Sequence, residues 1–313
     1  MVNLNSTVAV RDDEGVLVDV EWSRSGVTEQ FIENAEVYHE RYANDEHWRW
    51  LLRQGLSAAK IDCLQPLEVL DIVSGSGNSF FAAMHLLPHA NIVASDISPA
   101  LLKILLRVAE PIGARRPSAY CFDLHKDFFT KETFDIAIGG AILHHILDPI
   151  AVLANVISWC KAGGKIIMFE PMEASAHFNS IVYHKLIDEL DGEADPTLIE
   201  HFRAMILAYN ARFGFPNEKP WTKQLDDKWF FTHDALRTIG RDLGFTVDTV
   251  EPMLANTSAS IEQAIMANIR LSGNAHLPIP ARLPQILNYL DASVSDALKR
   301  ELASKAAIVL RRV

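Results

Sequence analysis

Val69-Leu70-Asp71-Ile72-Val73-Ser74-Gly75-Ser76-Gly77-Asn78 is the stretch on which the reading of this chain turns. An apolar run enters a loop with glycine at alternate positions, and a helical pattern follows. Glycine allows φ > 0 and close approach of backbone to a ligand. The start of the next helix offers unpaired N–H groups to a carboxylate or phosphate. The plain alternative is a glycine-rich strand-to-helix turn that binds nothing. A dinucleotide fingerprint needs a third glycine three residues after the second, but Phe80 stands there. Asp71, at the end of the strand, would repel a pyrophosphate and could pair with an ammonium group. Together these features point to a cationic nucleoside bearing an amino acid rather than to NAD.

The surroundings repeat the theme. Short, nearly all-apolar runs at Glu68–Val73, Asn91–Asp96, Ala119–Asp123, Phe134–Gly139 and Lys165–Glu170 read as strands covered on both faces. Helical stretches separate most of them. Ser98-Pro99 and Asp148-Pro149 each supply an N-cap and a proline at the first helical position, and Gly163-Gly164 is read as the end of the second helix. Alternating strands and helices imply right-handed crossovers and a doubly wound, mostly parallel α/β sheet. Ligands of such sheets sit at the carboxyl ends of the strands. Asp96 and Asp123 fall at two more of those ends. One terminal Asp is usually a cap; three in series beside the glycine loop suggest a ribose acceptor and an adenine contact.

Before this core, Thr7 to Trp22 alternates around Asp12-Asp13-Glu14-Gly15 and predicts a hairpin. Thr28 to Leu52 takes a helical period, with Phe31, Ala35, Tyr38 and Tyr42 on one face and Thr28 as N-cap. After it, helices and prolines interrupt the pattern. Thr232–Leu243 reads as a helix stopped by Gly244, and Phe245–Met253 and Ala306–Val313 read as late strands. The expected organisation is therefore an extension over residues 1–60, a core over 61–172, a helical insertion over 173–231 and a core completion over 232–313. A second insertion falls at about 256–304, and the extension and both insertions are expected to form a cap.

Lysine plus arginine number 29 against 40 aspartates and glutamates, a formal charge of −11. Such a surface disfavours a nucleic-acid backbone. Hydrophobic residues at 49% and charged residues at 22% suit a folded, soluble chain. No apolar run approaches the roughly 20 residues of a membrane span, and no secretory signal is visible. Three scattered cysteines, Cys63, Cys121 and Cys160, match neither a disulfide framework nor a zinc site and suggest a reducing, cytoplasmic setting. The hairpin could offer an edge strand to a second copy, giving a homodimer.

From Glu68 to Pro171 the ordered series resembles the class I S-adenosylmethionine-dependent methyltransferases. The resemblance rests on Val69–Gly77, Ile92–Pro99, Phe122-Asp123-Leu124, Phe134–Ile138, Leu143–Pro149 and Leu153–Pro171. It implies a seven-stranded Rossmann-like sheet whose last strand is antiparallel, with S-adenosylmethionine as cofactor. By the same resemblance Asp71, Ser74, Gly75 and Gly77 hold the methionine part, Asp96 the ribose, and Ile97, Asp123 and Leu124 the adenine. Gly139 and Gly140 would border the sulfonium, and Tyr38 would close over the cofactor. Val73 departs from the family's glycine, because a β-branched residue resists φ > 0. The departure raises two possibilities, a rearranged loop or a relative that binds without transferring methyl.

Methyl transfer from a sulfonium needs alignment first, and a base only when the acceptor is protonated. His144 and His145 follow the fourth strand and are the catalytic candidates. His144 falls where plant-type O-methyltransferases of this fold carry a catalytic histidine; packing is the competing role. His177 and His184 share a helix face but stand seven apart, unlike a helical metal pair, so no metal is expected. The expected activity is transfer of methyl to an O, N or C nucleophile of a small, apolar or aromatic acceptor. A regulatory binding protein and an NAD-dependent oxidoreductase are the alternatives.

Overall fold

The computed structural model describes residues 2–10, 15–23, 31–112, 117–221, 226–253 and 261–313. Among them β1 (Val8–Val10), β2 (Leu17–Asp19), β3 (Glu68–Ile72), β4 (Asn91–Asp96) and β5 (Ser118–Cys121) precede β6 (Phe134–Gly140) and β7 (Cys160–Pro171). Late in the chain come β8 (Phe245–Pro252) and β9 (Lys305–Arg312). They form one sheet in the order β1-β2-β5-β4-β3-β6-β7-β9-β8. The pairs β5–β4, β4–β3, β3–β6 and β6–β7 are parallel, and β9 is antiparallel to both neighbours. The seven strands from β5 to β8 are the expected sheet. The hairpin makes nine, because β2 pairs in parallel with β5 of the same chain, Leu17 opposite Tyr120. One edge of the hairpin, that of β2, is thus paired within the chain, and β1 is the end strand of the sheet.

Both faces of the sheet are covered, as apolar strands demand. Along β7, Ile166 and Met168 enter one cluster, with Trp159 and Val152 of α5 (Pro149–Trp159) and Leu236 of α8 (His233–Leu243). Ile167 and Phe169 point the other way, the period of two of a strand. There they meet Leu52 and Leu56 of α2 (Asp45–Ala58), Phe80 of α3 (Asn78–Leu86) and Leu102 of α4 (Pro99–Ala109). The N-terminal extension therefore flanks the sheet through α2.

Those insertions have their own apolar cluster. Tyr183 and Leu186 of α6 (Glu173–Glu189), Phe202 of α7 (Pro196–Arg212), Ile265 of α9 (Ile261–Ile269) and Leu287 of α10 (Arg282–Ser293) pack together. α11 (Asp296–Glu301) leads into β9.

Local signals were read well where caps exist. Ser98 and Asp148 accept backbone N–H bonds from Leu101 and Ala151, Thr232 caps α8, and Gly244 ends it at φ +75°. Three readings change. The helix expected from Thr28 to Leu52 breaks at Ala43-Asn44, where Asn44 caps α2 by accepting from His47 N–H, leaving α1 (Ala35–Tyr42) as a separate helix; Thr28 lies outside the described residues. Gly163-Gly164 does not end α5, which stops at Trp159. It lies inside β7, with Gly163 at φ +74°, where the pairing register slips between Phe134 and Ile136. The third strand ends at Cys121 rather than Asp123, because its partner β4 ends at Asp96.

Candidate functional site

The loop after β3 is held by serines turned inward. The Ser74 hydroxyl donates to the Asp71 carbonyl at 3.0 Å and accepts from Ser95 N–H at 3.2 Å, tying the loop to β4. Val73 and Gly75 both sit at φ +54°, and Gly77 at φ +113°. Val73 thus adopts the left-handed conformation that glycine normally takes. A valine is held there against its own preference by the surrounding bonds. A Cβ at Gly75 would meet nothing within 4 Å, so this backbone faces open space.

That space is a cavity of about 480 Å³ at the carboxyl ends of the parallel strands, a size typical of small-molecule sites. Its walls are Val73 and Gly75 after β3, Asp96 and Ile97 at β4, Asp123 and Leu124 after β5, and Gly140 to Ile142 after β6. Phe31 and Tyr38 close one side, and His145, Asp226 and Lys228 another. Of the residues expected to bind cofactor, Gly75, Asp96, Ile97, Asp123, Leu124 and Tyr38 line it. Asp71, Ser74, Gly77 and Gly139 are not among its walls. Of the two glycines expected to border the sulfonium, Gly140 lines the cavity and Gly139 does not. A Cβ on Gly139 would run into the Met168 sulfur, and one on Gly140 into the Trp48 ring of α2.

Asp96 is buried, with one oxygen accepting from Ser98 N–H and the other from Gly75 N–H, each at 2.8 Å. Burial pushes its carboxyl up to about 6, although those amides oppose the shift. Asp71 lies beneath the loop, where Ser79 donates to one oxygen at 3.0 Å and the other has no hydrogen-bond partner. Burial raises it to about 7, against the pull of Ser79 and Ser74. Burial and the negative charge of Asp96 raise the Tyr38 hydroxyl to about 12, so it remains protonated on the cavity wall. The Asp123 carboxylate bonds the His125 backbone N–H at 3.0 Å and ring Nδ1 at 2.7 Å.

The histidine pair divides. His144 is 8% exposed and is not a wall of the cavity. Its Nδ1 lies 2.6 Å from Glu170, a fully buried carboxylate that also accepts from Ile142 and Leu143 N–H at 3.0 and 2.8 Å. Burial alone would raise Glu170. The His144 charge, its hydrogen bond and the two amides outweigh burial and hold it below its ordinary value. His145 does reach the cavity. Burial and then the neighbouring His144 lower its pKa, favouring the neutral ring.

A segment 80 residues further on completes this end. Lys228 N–H donates to the His144 carbonyl at 2.7 Å, and its ammonium to the His145 carbonyl at 2.6 Å. Asp227 places one oxygen 3.5 Å from His144 Nε2 and from His145 Nδ1, and the other 3.1 Å from Arg212. No local motif marks Asp226 to Lys228, and the sequence reading missed them. His177 is exposed and stacks on Phe213, with ring centroids 3.8 Å apart. It lies on α6, as does the exposed His184.

The methyltransferase domain family matches residues 70–166, from β3 into β7. Residues 70–166 are thus a methyltransferase domain. No curated relative matches by sequence. Among solved structures, a chain of the Haloferax volcanii complex between the Trm112 methyltransferase activator and a candidate methyltransferase is similar at 14% identity. The match covers 91% of this chain and 98% of that one, with a TM-score of 0.54. Haemonchus contortus phosphoethanolamine N-methyltransferase 2, in complex with S-adenosyl-L-methionine, is 16% identical over 92% of this chain and 57% of its own, with a TM-score of 0.49. At such identities the likeness concerns the fold. S-adenosylmethionine is the methyl donor expected of such a domain. The cradle fits its nucleoside half: open backbone at Gly75, a buried carboxylate at Asp96, and apolar Ile97 and Leu124 beside it. No helix among the described residues is long and apolar enough to cross a membrane.

Proposed function

We propose that the enzyme methylates a small-molecule nucleophile held in the cavity, beneath helices contributed by the insertions. The observation that supports this reading is the wall itself. Nucleoside-type contacts at β3, β4 and β5 and the polar group His145, Asp226 and Lys228 face one cavity. Asp96 accepts the ribose hydroxyls, Ile97 and Leu124 pack on the adenine, and Asp123 takes its amino edge. Gly75 borders the methionine part, and Tyr38 closes over the ligand. S-adenosylmethionine, when bound, supplies a methyl on an already activated leaving group.

What remains for the chain is to align the acceptor and accept its proton. His145, not His144, stands on the wall and is held toward the neutral form suited to that transfer. His144 acts behind it, fixed by Glu170. The cavity is small and largely apolar, which suits a small acceptor over a macromolecule, and the acidic chain suits no nucleic acid. A cytoplasmic setting and a reduced thiol set belong to the same reading. The loop geometry at Val73 favours an active enzyme over a decayed binding protein, since the left-handed turn is retained.

Calorimetry with S-adenosylmethionine, followed by a labelled-methyl screen over phenols, amines and carboxylic acids, tests the proposal. Binding with transfer to a small acceptor supports it. Donor binding without transfer to any acceptor of the panel supports the regulatory alternative instead.

A further inference from the structure

We propose that His144, His145 and Asp227 form a binding site for a divalent transition-metal ion of the zinc class. This goes beyond methyl transfer and does not depend on it. One ring nitrogen of each histidine and one carboxylate oxygen of Asp227 lie within 4.8 Å of one another. Asp227 Oδ1 is 3.5 Å from His144 Nε2 and 3.5 Å from His145 Nδ1. Two ligands bound at about 2.1 Å in a tetrahedron stand about 3.4 Å apart, so the spacing already suits one ion between them.

The surroundings are those of a metal centre. Glu170, buried and accepting two backbone N–H bonds, lies 2.6 Å from His144 Nδ1. Its other nitrogen, Nε2, faces Asp227 at 3.5 Å. A carboxylate behind a histidine is the usual way a protein fixes a ligand's tautomer and orientation. Arg212 does the same for Asp227, holding Oδ2 at 3.1 Å and leaving Oδ1 toward the rings. His145 Nδ1 lies 3.1 Å from the Asp226 carbonyl, and binding exchanges that contact for a coordinate bond.

Two imidazoles with one carboxylate select zinc, cobalt or iron(II) over magnesium or calcium, which require mostly oxygen donors. Three protein ligands leave a position open, and His145 lies on the cavity wall. An acceptor hydroxyl taking that position would form a metal–oxygen bond and release its proton to solvent water. The ion would thus replace free His145 as the group that activates the acceptor.

The test uses the full chain stripped with chelator, titrated with Co²⁺ by visible absorption and with Zn²⁺ by calorimetry. The expected result is one Co²⁺ per chain with tetrahedral-type absorption, displaced by Zn²⁺. Asp227→Ala, a change at a partly exposed position, should abolish it, and so should His145→Ala. Glu170→Gln should weaken it 10–100-fold, the range for groups that support a ligand, while His177→Ala leaves it intact. No stoichiometric binding, or binding that survives both Asp227→Ala and His145→Ala, overturns the proposal. A chain that binds S-adenosylmethionine but neither metal overturns this site alone.

Discussion

Replacing Val73 by glycine and by alanine tests whether the left-handed turn at the glycine loop is real. At most positions glycine is less stabilising than alanine by about 0.5–1 kcal/mol, because it loses more chain entropy on folding. Val73 sits at φ +54°, where any residue with a Cβ is strained by about 1–2 kcal/mol. Alanine keeps that strain, and glycine relieves it. Alanine retains one carbon of a half-buried side chain, worth about 0.4 kcal/mol at half the value of a buried methylene. The balance places Val73→Gly ahead of Val73→Ala by about 0.5 kcal/mol, reversing the ordinary order. Urea unfolding of the two variants, followed by circular dichroism with matched slopes, measures the difference directly. If glycine trails alanine by 0.5 kcal/mol or more, Val73 is not left-handed and the argument for an intact loop fails.

Asp96→Asn should weaken S-adenosylmethionine binding by about 10–100-fold, as expected for loss of hydrogen bonds to a charged group; calorimetry at neutral pH reads it. Asp71 and Asp96, raised to about 7 and about 6, keep protons in the folded chain that the unfolded chain releases. Their contribution to stability is full below the ordinary carboxylate value and is lost as pH rises through 6 to 7. The urea midpoint of the ligand-free protein carries this downward contribution across that window, and Asp71→Asn should flatten it. Donor affinity should rise over the same window, since only ionised Asp96 accepts both ribose hydroxyls. Gly55→Ala should destabilise the protein by about 1–2 kcal/mol despite a helix-propensity gain of about 1 kcal/mol. The new Cβ would stand 2.7 Å from Phe169 and 2.8 Å from Ile167; an unchanged urea midpoint would show that α2 does not press on β7 there.

Much of the core was legible because its signals are local. The caps at Ser98, Asp148 and Thr232 and the stop at Gly244 act within four residues, so they can be read without knowing the fold. Asp96 was legible for a related reason. A carboxylate at the end of a parallel strand faces the ligand side of any such sheet. Asp71 shows the limit of that argument. It stands one residue before the end of β3 and pairs with Ala94, two residues short of Asp96 on the same face, so its side chain lies deeper, under the loop, toward Ser79. His144 and His145 were singled out together, yet a tight turn sends one ring back to Glu170 and the other into the cavity.

The amino-acid sequence by itself determined the alternating sheet, the glycine loop and the series of terminal aspartates, because period, capping and turn chemistry are properties of neighbouring residues. Tertiary structure alone decided the rest. It added the hairpin to β5, laid α2 on the sheet, and brought Asp226 to Lys228 against the histidine pair. Such contacts join segments that only side-chain packing brings together, here separated by some 80 residues between His145 and Asp227, and no local pattern in either segment encodes the meeting.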